Sequence, residues 1–258
     1  MVTKNSNPYW IKFLGTAGAR FVMIKQLRAS GGLWLKSGDT NILIDPGPGS
    51  IVRCAASRPK LDPAILNAVI LTHRHLDHAN DVNVMIEGMT EGGSNKRGVV
   101  FAPADALGAD TVILKHAQGY VGKIEALEPQ KSYRAGDFVF ETTPALRHPC
   151  QTYGLKFVMN NTRVALLTDT EYFPELIDYF QSDCLIINVV FLEPRCGVQH
   201  LSFHDVREIV KRVAPKRVIL THFGMTMLKA HPHELARALS WETGVAVEAA
   251  TDGMTVVF

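Results

Sequence analysis

The chain has 258 residues, of which 47% are hydrophobic and 20% are charged, and its formal net charge is +2. These values are typical of a globular protein with a large core, and they argue against a strongly basic nucleic-acid-binding domain. The longest apolar run, Cys184 to Leu192, is far shorter than the roughly 20 residues that span a bilayer. The N-terminal segment is polar and lacks the apolar core of a signal peptide, so we expect a cytoplasmic protein without a membrane partner.

Short runs rich in Val, Ile and Leu alternate with helical patterns along the chain. No repeat, low-complexity tract or linker divides them, so we predict one domain over residues 1–258. Apolar residues recur at helical spacing over residues 82–89 and again over 203–213, where Ser202 is the predicted N-cap with Asp205 three residues on. We predict strands at residues 10–14, 32–36, 40–45, 68–72, 99–102, 137–142, 153–159, 163–168, 184–191, 217–221 and 254–258.

Three predicted strands end in a polar residue that can bind a metal ion. In layered α/β architectures a rigid sheet positions the side chains on the loops at strand ends, and chemistry collects there. The pattern therefore predicts a functional site at these ends. The three endings are Thr72-His73, Thr168-Asp169 and Thr221-His222.

Segment 73–78 has the sequence HRHLDH, which indicates a metal site. His73 and His75 alternate in an extended segment, so both imidazoles face one side and can hold one cation. Asp77 and His78 follow at a bend into the next helix and suit a second cation. Imidazole and carboxylate ligands favour Zn, Mn or Fe, whereas Ca and Mg sites are richer in oxygen. The distant candidates are His148, Asp169 and His222, and Asp169 is the natural bridge because a carboxylate has two oxygens.

These motifs, in the order THRHLDH, His148, TDT and THF, resemble those of the metallo-β-lactamase superfamily, and the resemblance extends from FLGTAGAR to DGMTVVF. It implies an α/β fold, the four-layer αβ/βα sandwich, in which two facing mixed β-sheets carry helices outside. It also implies two divalent transition-metal ions per chain, zinc first with manganese or iron as alternatives, and a homodimer. One ion would be held by His73, His75 and His148, the other by Asp77, His78 and His222, and Asp169 would bridge them.

The family contains several chemistries, so departures from its branches matter. The flavodiiron branch has a glutamate where this chain has His75, which favours hydrolysis over redox chemistry. The lactamases with a cysteine ligand have it where this chain has Asp169, which argues against β-lactam hydrolysis. Thioesterases of the glyoxalase II type share all seven ligands, so a thioester or lactone hydrolase is an open alternative. A non-catalytic metal-binding module is disfavoured because none of the ligands is missing.

His200 lies just ahead of the helix predicted after Ser202. This arrangement is similar to the phosphodiesterase branch, which includes ribonuclease Z and the phosphoribosyl cyclic phosphate phosphodiesterases. The resemblance implies that His200 is a general acid that assists departure of the alkoxide, while Asp77 could also orient a metal-bridging hydroxide. The alternative for His200 is a loop histidine that caps the helix or faces solvent.

The interval between His148 and Asp169 reads as a short hairpin, whereas ribonuclease Z carries a long tRNA-gripping arm there. We therefore expect a small or cyclic phosphodiester as the substrate, with tRNA 3′-processing as an alternative. The Gly-rich segment Glu91 to Gly98 either borders the pocket or is a plain surface loop.

Two further sets of residues are predicted to have no part in the chemistry. The cysteines form no C-x-x-C pair, so each is expected to be a buried thiol. They are Cys54, Cys150, Cys184 and Cys196. The remaining histidines have no partner pattern and are predicted at the surface, with Pro232 in the first turn of a helix. They are His116, His204, His231 and His233.

Overall fold

Two seven-stranded β-sheets pack face to face in the computed structural model, which describes residues 9–258. Residues 1–8, on which most of the expectation about a signal peptide rests, lie outside the described residues. The first sheet follows the order of the chain, except that the last strand lies beside the first. Its strands are β1 (Trp10–Phe13), β2 (Leu33–Ser37), β3 (Thr40–Ile44), β4 (Ala68–Ile70), β5 (Arg97–Pro103), β6 (Val121–Leu127) and β14 (Thr255–Val257).

The second sheet follows the order of the chain from edge to edge. Both sheets are mixed, with parallel pairing from β3 to β6 in the first sheet. In the second sheet the last four strands pair in parallel. Because parallel strands end at the same edge of a sheet, the loops that follow them meet there. The second sheet consists of β7 (Ser132–Ala135), β8 (Phe138–Ala145), β9 (Tyr153–Met159), β10 (Thr162–Leu167), β11 (Cys184–Asn188), β12 (Arg217–Thr221) and β13 (Ala246–Ala249).

Helices cover the outer face of each sheet. A 3₁₀ turn at Pro63–Ile65 lies in the connection between α2 and β4. In the first half of the chain they are α1 (Ala19–Ile24), α2 (Ser50–Ala56), α3 (Leu76–Ala79), α4 (Val82–Met89), α5 (Ala104–Leu107) and α6 (Lys115–Gln118). In the second half they are α7 (Leu176–Tyr179), α8 (Phe203–Val213), α9 (Met225–Lys229) and α10 (Pro232–Thr243).

The core consists of three apolar layers that follow from the alternation of side chains along the strands. Ile42 and Leu155, one from each sheet, belong to the layer between the sheets. Leu43 faces the other way and belongs to the layer that includes residues of α4. Leu167 belongs to the layer that includes residues of α8. The predicted αβ/βα sandwich is thereby confirmed.

Every predicted strand is present, and the predicted helices over residues 82–89 and 203–213 are present as α4 and α8. The predicted cap is also confirmed, because the Ser202 hydroxyl accepts a hydrogen bond from the backbone N–H of Asp205 at 3.2 Å. The strands that the sequence did not reveal are β6, β7 and β13. All three lie at sheet edges, where one flank is exposed and polar side chains interrupt the apolar pattern.

Among residues 9–258, the helices are all too short or too polar to cross a bilayer.

Candidate metal centre

The ends of strands from both sheets meet at one edge of the sandwich. His73 follows β4 of the first sheet by way of a short loop, and His75 N-caps α3. Asp169 follows β10 and His222 follows β12 in the second sheet. His222 has φ = 61°, in the left-handed region that a non-glycine residue occupies only at a cost. The predicted convergence of strand ends is therefore observed, and one member is held in a strained backbone conformation.

One group of candidate ligands consists of His73, His75 and His148, whose ligand atoms all lie within 4.8 Å of one another. His148 Nε2 is 3.0 Å from His75 Nδ1. Two nitrogens bound to the same tetrahedral ion at about 2.05 Å would be about 3.3 Å apart. The spacing of these imidazoles fits a shared cation.

A second group consists of Asp77, His78, Asp169 and His222, again with ligand atoms within 4.8 Å. The Nε2 atoms of His78 and His222 are 3.0 Å apart. Asp77 Oδ2 lies 3.3 Å from His222 Nε2. Two imidazoles and two carboxylates that converge in this way provide the donor set of a second transition-metal ion.

Asp169 lies between the two groups. Its Oδ2 is 3.9 Å from His73 Nε2 and 3.5 Å from His78 Nε2. Its Oδ1 accepts a hydrogen bond from the Asn188 side chain at 2.8 Å, which fixes the carboxylate. This position is the one a bridging ligand requires.

Several buried polar atoms at the centre have no hydrogen-bond partner among the described residues. Buried polar atoms are almost always paired, because an unpaired one costs free energy relative to water. These atoms face one another across the centre, so the residues present fit bound cations. The unpartnered atoms are His73 Nε2, Asp169 Oδ2, His222 Nδ1 and His200 Nδ1.

Hydrogen bonds to the opposite ring nitrogen select the tautomer of three histidines. The Thr72 hydroxyl, which donates to Asp45, accepts from His73 Nδ1 at 3.1 Å. His148 Nδ1 donates to the backbone carbonyl of Gln199 at 2.9 Å, and His78 Nδ1 donates to Asp45 at 3.0 Å. Each contact places a proton on Nδ1 and turns Nε2 toward the centre, the orientation that metal-binding histidines adopt.

Burial and charge set the protonation states. Burial lowers the pKa of His73 well below its usual value. It also lowers the pKa of His75, and it lowers the pKa of His148 to about 4. These three imidazoles are therefore neutral. Burial would likewise lower the pKa of His78, but the carboxylates of Asp77, Asp169 and Asp45 outweigh it and raise that pKa well above its usual value.

The two carboxylates remain ionised. Burial would raise the pKa of Asp169, but the imidazoles of His222 and His78 hold it well below its usual value. The pKa of Asp77 is held low in the same way by His78 and His222. Negative charge at these positions is what a divalent cation attracts.

Sequence reasoning missed Asp45, which follows β3 and is buried. It contacts Thr72 and His78 and forms a further ligand group with His73 and His78. Asp45 ends the predicted strand TNILID, just as His73 follows a predicted strand. It was not selected because no further polar residue comes directly after it. Asp45 has φ = 52°, a second left-handed residue at the same edge.

His200 points into the centre. Its Nδ1 is 3.4 Å from Asp169 Oδ2, and its ring centroid is 5.1 Å from that of His148. The side chain is 18% exposed, and burial lowers its pKa. Because His148, Asp169 and His200 also have ligand atoms within 4.8 Å, the position suits either a proton donor or a further ligand. The alternative that His200 faces solvent does not agree with its largely buried side chain.

Segment 91–98 does not border the centre. It precedes β5, which is parallel to β4, and therefore lies at the opposite edge of the sheet from the loop after β4. Of the two alternatives for this segment, the structure therefore supports the plain surface loop and not the pocket border. The four histidines predicted at the surface, His116, His204, His231 and His233, are all exposed.

The prediction of four buried thiols was wrong in part. Cys54 and Cys184 are buried, whereas Cys150 is half-buried and Cys196 is exposed. Cys196 lies in the long loop between β11 and α8, which carries no apolar periodicity.

Pro232 begins α10, as predicted.

One protein-family model matches more than half of this chain. Residues 40–223 match the family model of the β-lactamase superfamily domain. An uncharacterized protein of Methanocaldococcus jannaschii is 29% identical over 255 residues, covering 95% of this chain and 94% of that protein. YhfI of Bacillus subtilis, described as a probable metallo-hydrolase, is 24% identical over 205 residues, covering 75% of this chain and 80% of YhfI.

Solved structures share the whole fold. The crystal structure of YhfI from Bacillus subtilis has a TM-score of 0.79 at 21% identity, covering 98% of this chain and 100% of that chain. A diphosphatase from the PhnP family has a TM-score of 0.72 at 19% identity, covering 97% of each chain. At these identities the likeness establishes the fold.

Proposed function

This chain belongs to the metallo-β-lactamase superfamily of metal-dependent hydrolases, and on that premise we propose that it is a dinuclear phosphodiesterase acting on a small or cyclic phosphodiester. The observation that carries the proposal is the position of His200. Its Nδ1 faces the Asp169 carboxylate at 3.4 Å, and the partly exposed ring leaves Nε2 available to a leaving group. A positioned imidazole matters for an alkoxide, which departs poorly unless it receives a proton.

Two metal ions would be held by the seven candidate ligands. When bound, such ions polarise phosphoryl oxygens and lower the pKa of water so that a nucleophile is available near neutral pH. Zinc is the first expectation from the nitrogen and oxygen donors, with manganese or iron as alternatives. One ion would lie among His73, His75 and His148, and the other among Asp77, His78 and His222, with Asp169 between them.

The remaining residues orient the reaction. Asp77 is ionised and lies within 3.8 Å of His78 and 3.3 Å of His222, where it can also accept a hydrogen bond from the attacking water. His200 would hold a proton at Nε2 and deliver it to the leaving oxygen, while the Asp169 carboxylate, 3.4 Å from Nδ1, stabilises the protonated ring electrostatically. Nucleophile and acid then act from different sides of the phosphorus, as in-line displacement requires.

A small substrate is supported by the interval between His148 and Asp169. It contains only a short loop and the hairpin of β9 and β10, with no protruding arm to grip a tRNA. The structural likeness to a PhnP-family diphosphatase supports a substrate that contains phosphorus. A cytoplasmic location, a single functional domain over the chain and a homodimer stay predictions.

The main rival is a thioester or lactone hydrolase with the same seven ligands, and tRNA 3′-processing is a second. Metal-loaded protein should be assayed against bis-p-nitrophenyl phosphate, a 2′,3′-cyclic nucleotide, a thioester panel and a tRNA precursor. We expect turnover of the phosphodiesters above all. Preferential thioester or lactone turnover would replace the proposal with the first rival, and cleavage of the tRNA precursor alone would replace it with the second.

His200→Ala provides the sharper test. On diesters with a poor alkoxide leaving group, we expect the rate to fall by roughly 10²–10⁴-fold with metal content unchanged. On a p-nitrophenyl ester, which departs without protonation, the loss should be far smaller. His204→Ala, an exposed histidine on α8, is the matched control and should behave as wild type. Equal losses on both substrates with loss of metal would make His200 a ligand.

A further inference from the structure

A second cavity, of about 210 Å³, lies on the outer side of the first sheet, away from the candidate metal centre. Lys12 of β1, Arg53 of α2 and Arg58 beyond it contribute the charged lining. Ile11 and Phe13 face the layer between the sheets, so the alternation of β1 turns Lys12 to the opposite face. None of the lining residues is a candidate metal ligand, so the cavity is a separate feature of the fold.

Lys12 is unusually buried for a lysine, at 7% exposed. Its ammonium group donates to the backbone carbonyl of Gly253 at 3.2 Å. Buried charges are normally paired with an opposite charge, because a neutral carbonyl replaces only part of the lost hydration. An ammonium has three donors, and one carbonyl satisfies only one of them.

The two arginines, half-buried Arg53 and exposed Arg58, also donate to backbone carbonyls and to no carboxylate in the described part of the chain. Arg53 Nε donates to the Leu14 carbonyl at 2.9 Å, and Arg58 Nη1 donates to the Ser57 carbonyl at 3.0 Å. Arg53 Nη2 also approaches Gly253, since a Cβ added to that glycine would be 3.8 Å from it. Within residues 9–258, the ion pairs include none of Lys12, Arg53 and Arg58. Three positive charges therefore border one cavity that no carboxylate neutralises.

We propose that this cavity binds a phosphate dianion, supplied either as inorganic phosphate or as the terminal phosphate of a phosphomonoester. Guanidinium groups match phosphate oxygens in pairs, and an ammonium adds a compact third charge. The cavity has room for the anion and for a small substituent, and the Ser57 side chain borders it as a further donor. A bound dianion would join β1, the end of α2 and the turn before β14. This site is independent of the proposed hydrolase function.

The consequence is a stabilisation that depends on the anion, because a ligand that binds only the folded state raises the free energy of unfolding. Metal-loaded wild-type protein would be titrated with inorganic phosphate and with glycerol 3-phosphate, by calorimetry and by thermal unfolding. Sodium chloride at the same ionic strength is the reference. The variants are Lys12→Met and Arg58→Met, and the matched control is Lys96→Met, which removes an exposed lysine that does not line the cavity.

We expect phosphate, and not chloride, to raise the melting temperature of wild type and of Lys96→Met. The apparent affinity should fall about tenfold or more in Lys12→Met and in Arg58→Met, since each loses a charge-assisted hydrogen bond. Tighter binding of glycerol 3-phosphate would identify a phosphomonoester as the source, and weaker binding would identify the free anion. Unchanged affinity in both variants would overturn the proposal, because the anion would then bind elsewhere, as at the metal centre. Should Lys12→Met fail to fold, the exposed Arg58 decides the outcome alone.

Discussion

Asp45 and Thr72 are joined by two hydrogen bonds, from the Thr72 backbone N–H to Oδ1 at 2.7 Å and from its hydroxyl to Oδ2 at 2.6 Å. The same carboxylate accepts from His78 Nδ1, and the same hydroxyl accepts from His73 Nδ1. One buried carboxylate therefore orients a histidine in each of the two ligand groups.

Asp45→Asn should weaken metal binding about 10–100-fold, the usual effect of losing a group that orients a ligand. One of the two polar atoms of the amide is a donor, so it cannot accept at both positions. Either the Thr72 backbone N–H at Oδ1, or the Thr72 hydroxyl and His78 at Oδ2, would lose its acceptor. Metal affinity would be measured by competition with a chromogenic chelator. Asp137→Asn, at an exposed turn between β7 and β8, is the control. Wild-type affinity in Asp45→Asn would show that ligand orientation does not depend on this residue.

Asp169→Ala should abolish activity and weaken the binding of both metal ions, because this carboxylate contacts histidines of both groups. Wild-type protein loaded with metal should contain about two ions per chain, as a site with two ligand groups requires. Elemental analysis of both proteins provides the measurement. If the variant keeps one ion at full affinity, Asp169 does not bridge.

Gly18→Ala should disturb the site without replacing a candidate ligand. A Cβ at Gly18 would lie 2.0 Å from the His222 carbonyl oxygen and 2.6 Å from its Nδ1, so the His222 backbone would have to move. A displacement of about 1 Å can cost on the order of 10²-fold in rate. Gly119→Ala, at an αR position at the end of α6, is the control and should keep full activity. Full activity in Gly18→Ala would mean that the loop before α1 yields freely.

The thiols should react in an order set by burial. At neutral pH, a thiol reagent should modify the exposed Cys196 first and the half-buried Cys150 more slowly. Cys54 and Cys184 should react only after unfolding. Cys196→Ser should therefore lose the fast phase. A fast phase that persists in this variant would place an accessible thiol elsewhere.

Alkaline pH should reduce stability through the two buried thiols. Burial and the nearby Asp81 raise the pKa of Cys54 to about 12, and burial raises that of Cys184 to about 11, both from a usual value of 9.0. Between pH 9 and 11 the unfolded chain has lost thiol protons that the folded chain keeps, so the free energy of unfolding falls as pH rises.

The loss should be about 1 kcal/mol per thiol at pH 10. Urea unfolding of Cys184→Ala and of wild type at pH 8 and pH 10 provides the measurement. The variant is expected to lose less stability over this interval, whatever its stability at pH 8. Identical losses would show that Cys184 ionises equally easily in both states.

Local sequence patterns predicted the central strands of both sheets and the helix α8. The central strands are continuous apolar runs because both of their faces are buried. The N-cap of α8 and its row of apolar residues at helical spacing are visible in the sequence. The edge strands β6, β7 and β13 were not predicted. An edge strand has one exposed flank and contains polar residues, so its sequence resembles that of a loop.

The sequence by itself selected the residues that converge at the candidate metal centre, which are the histidines and the aspartate of HRHLDH, His148, Asp169, His200 and His222. Tertiary structure alone decided which nitrogen of His78 and of His148 faces the centre, because the partners of the other nitrogen, Asp45 and the Gln199 carbonyl, come from distant segments. It also decided the role of Asp45, whose two contacts cross 27 and 33 residues of chain. Such contacts depend on the packing of two sheets, and no local pattern encodes their distances.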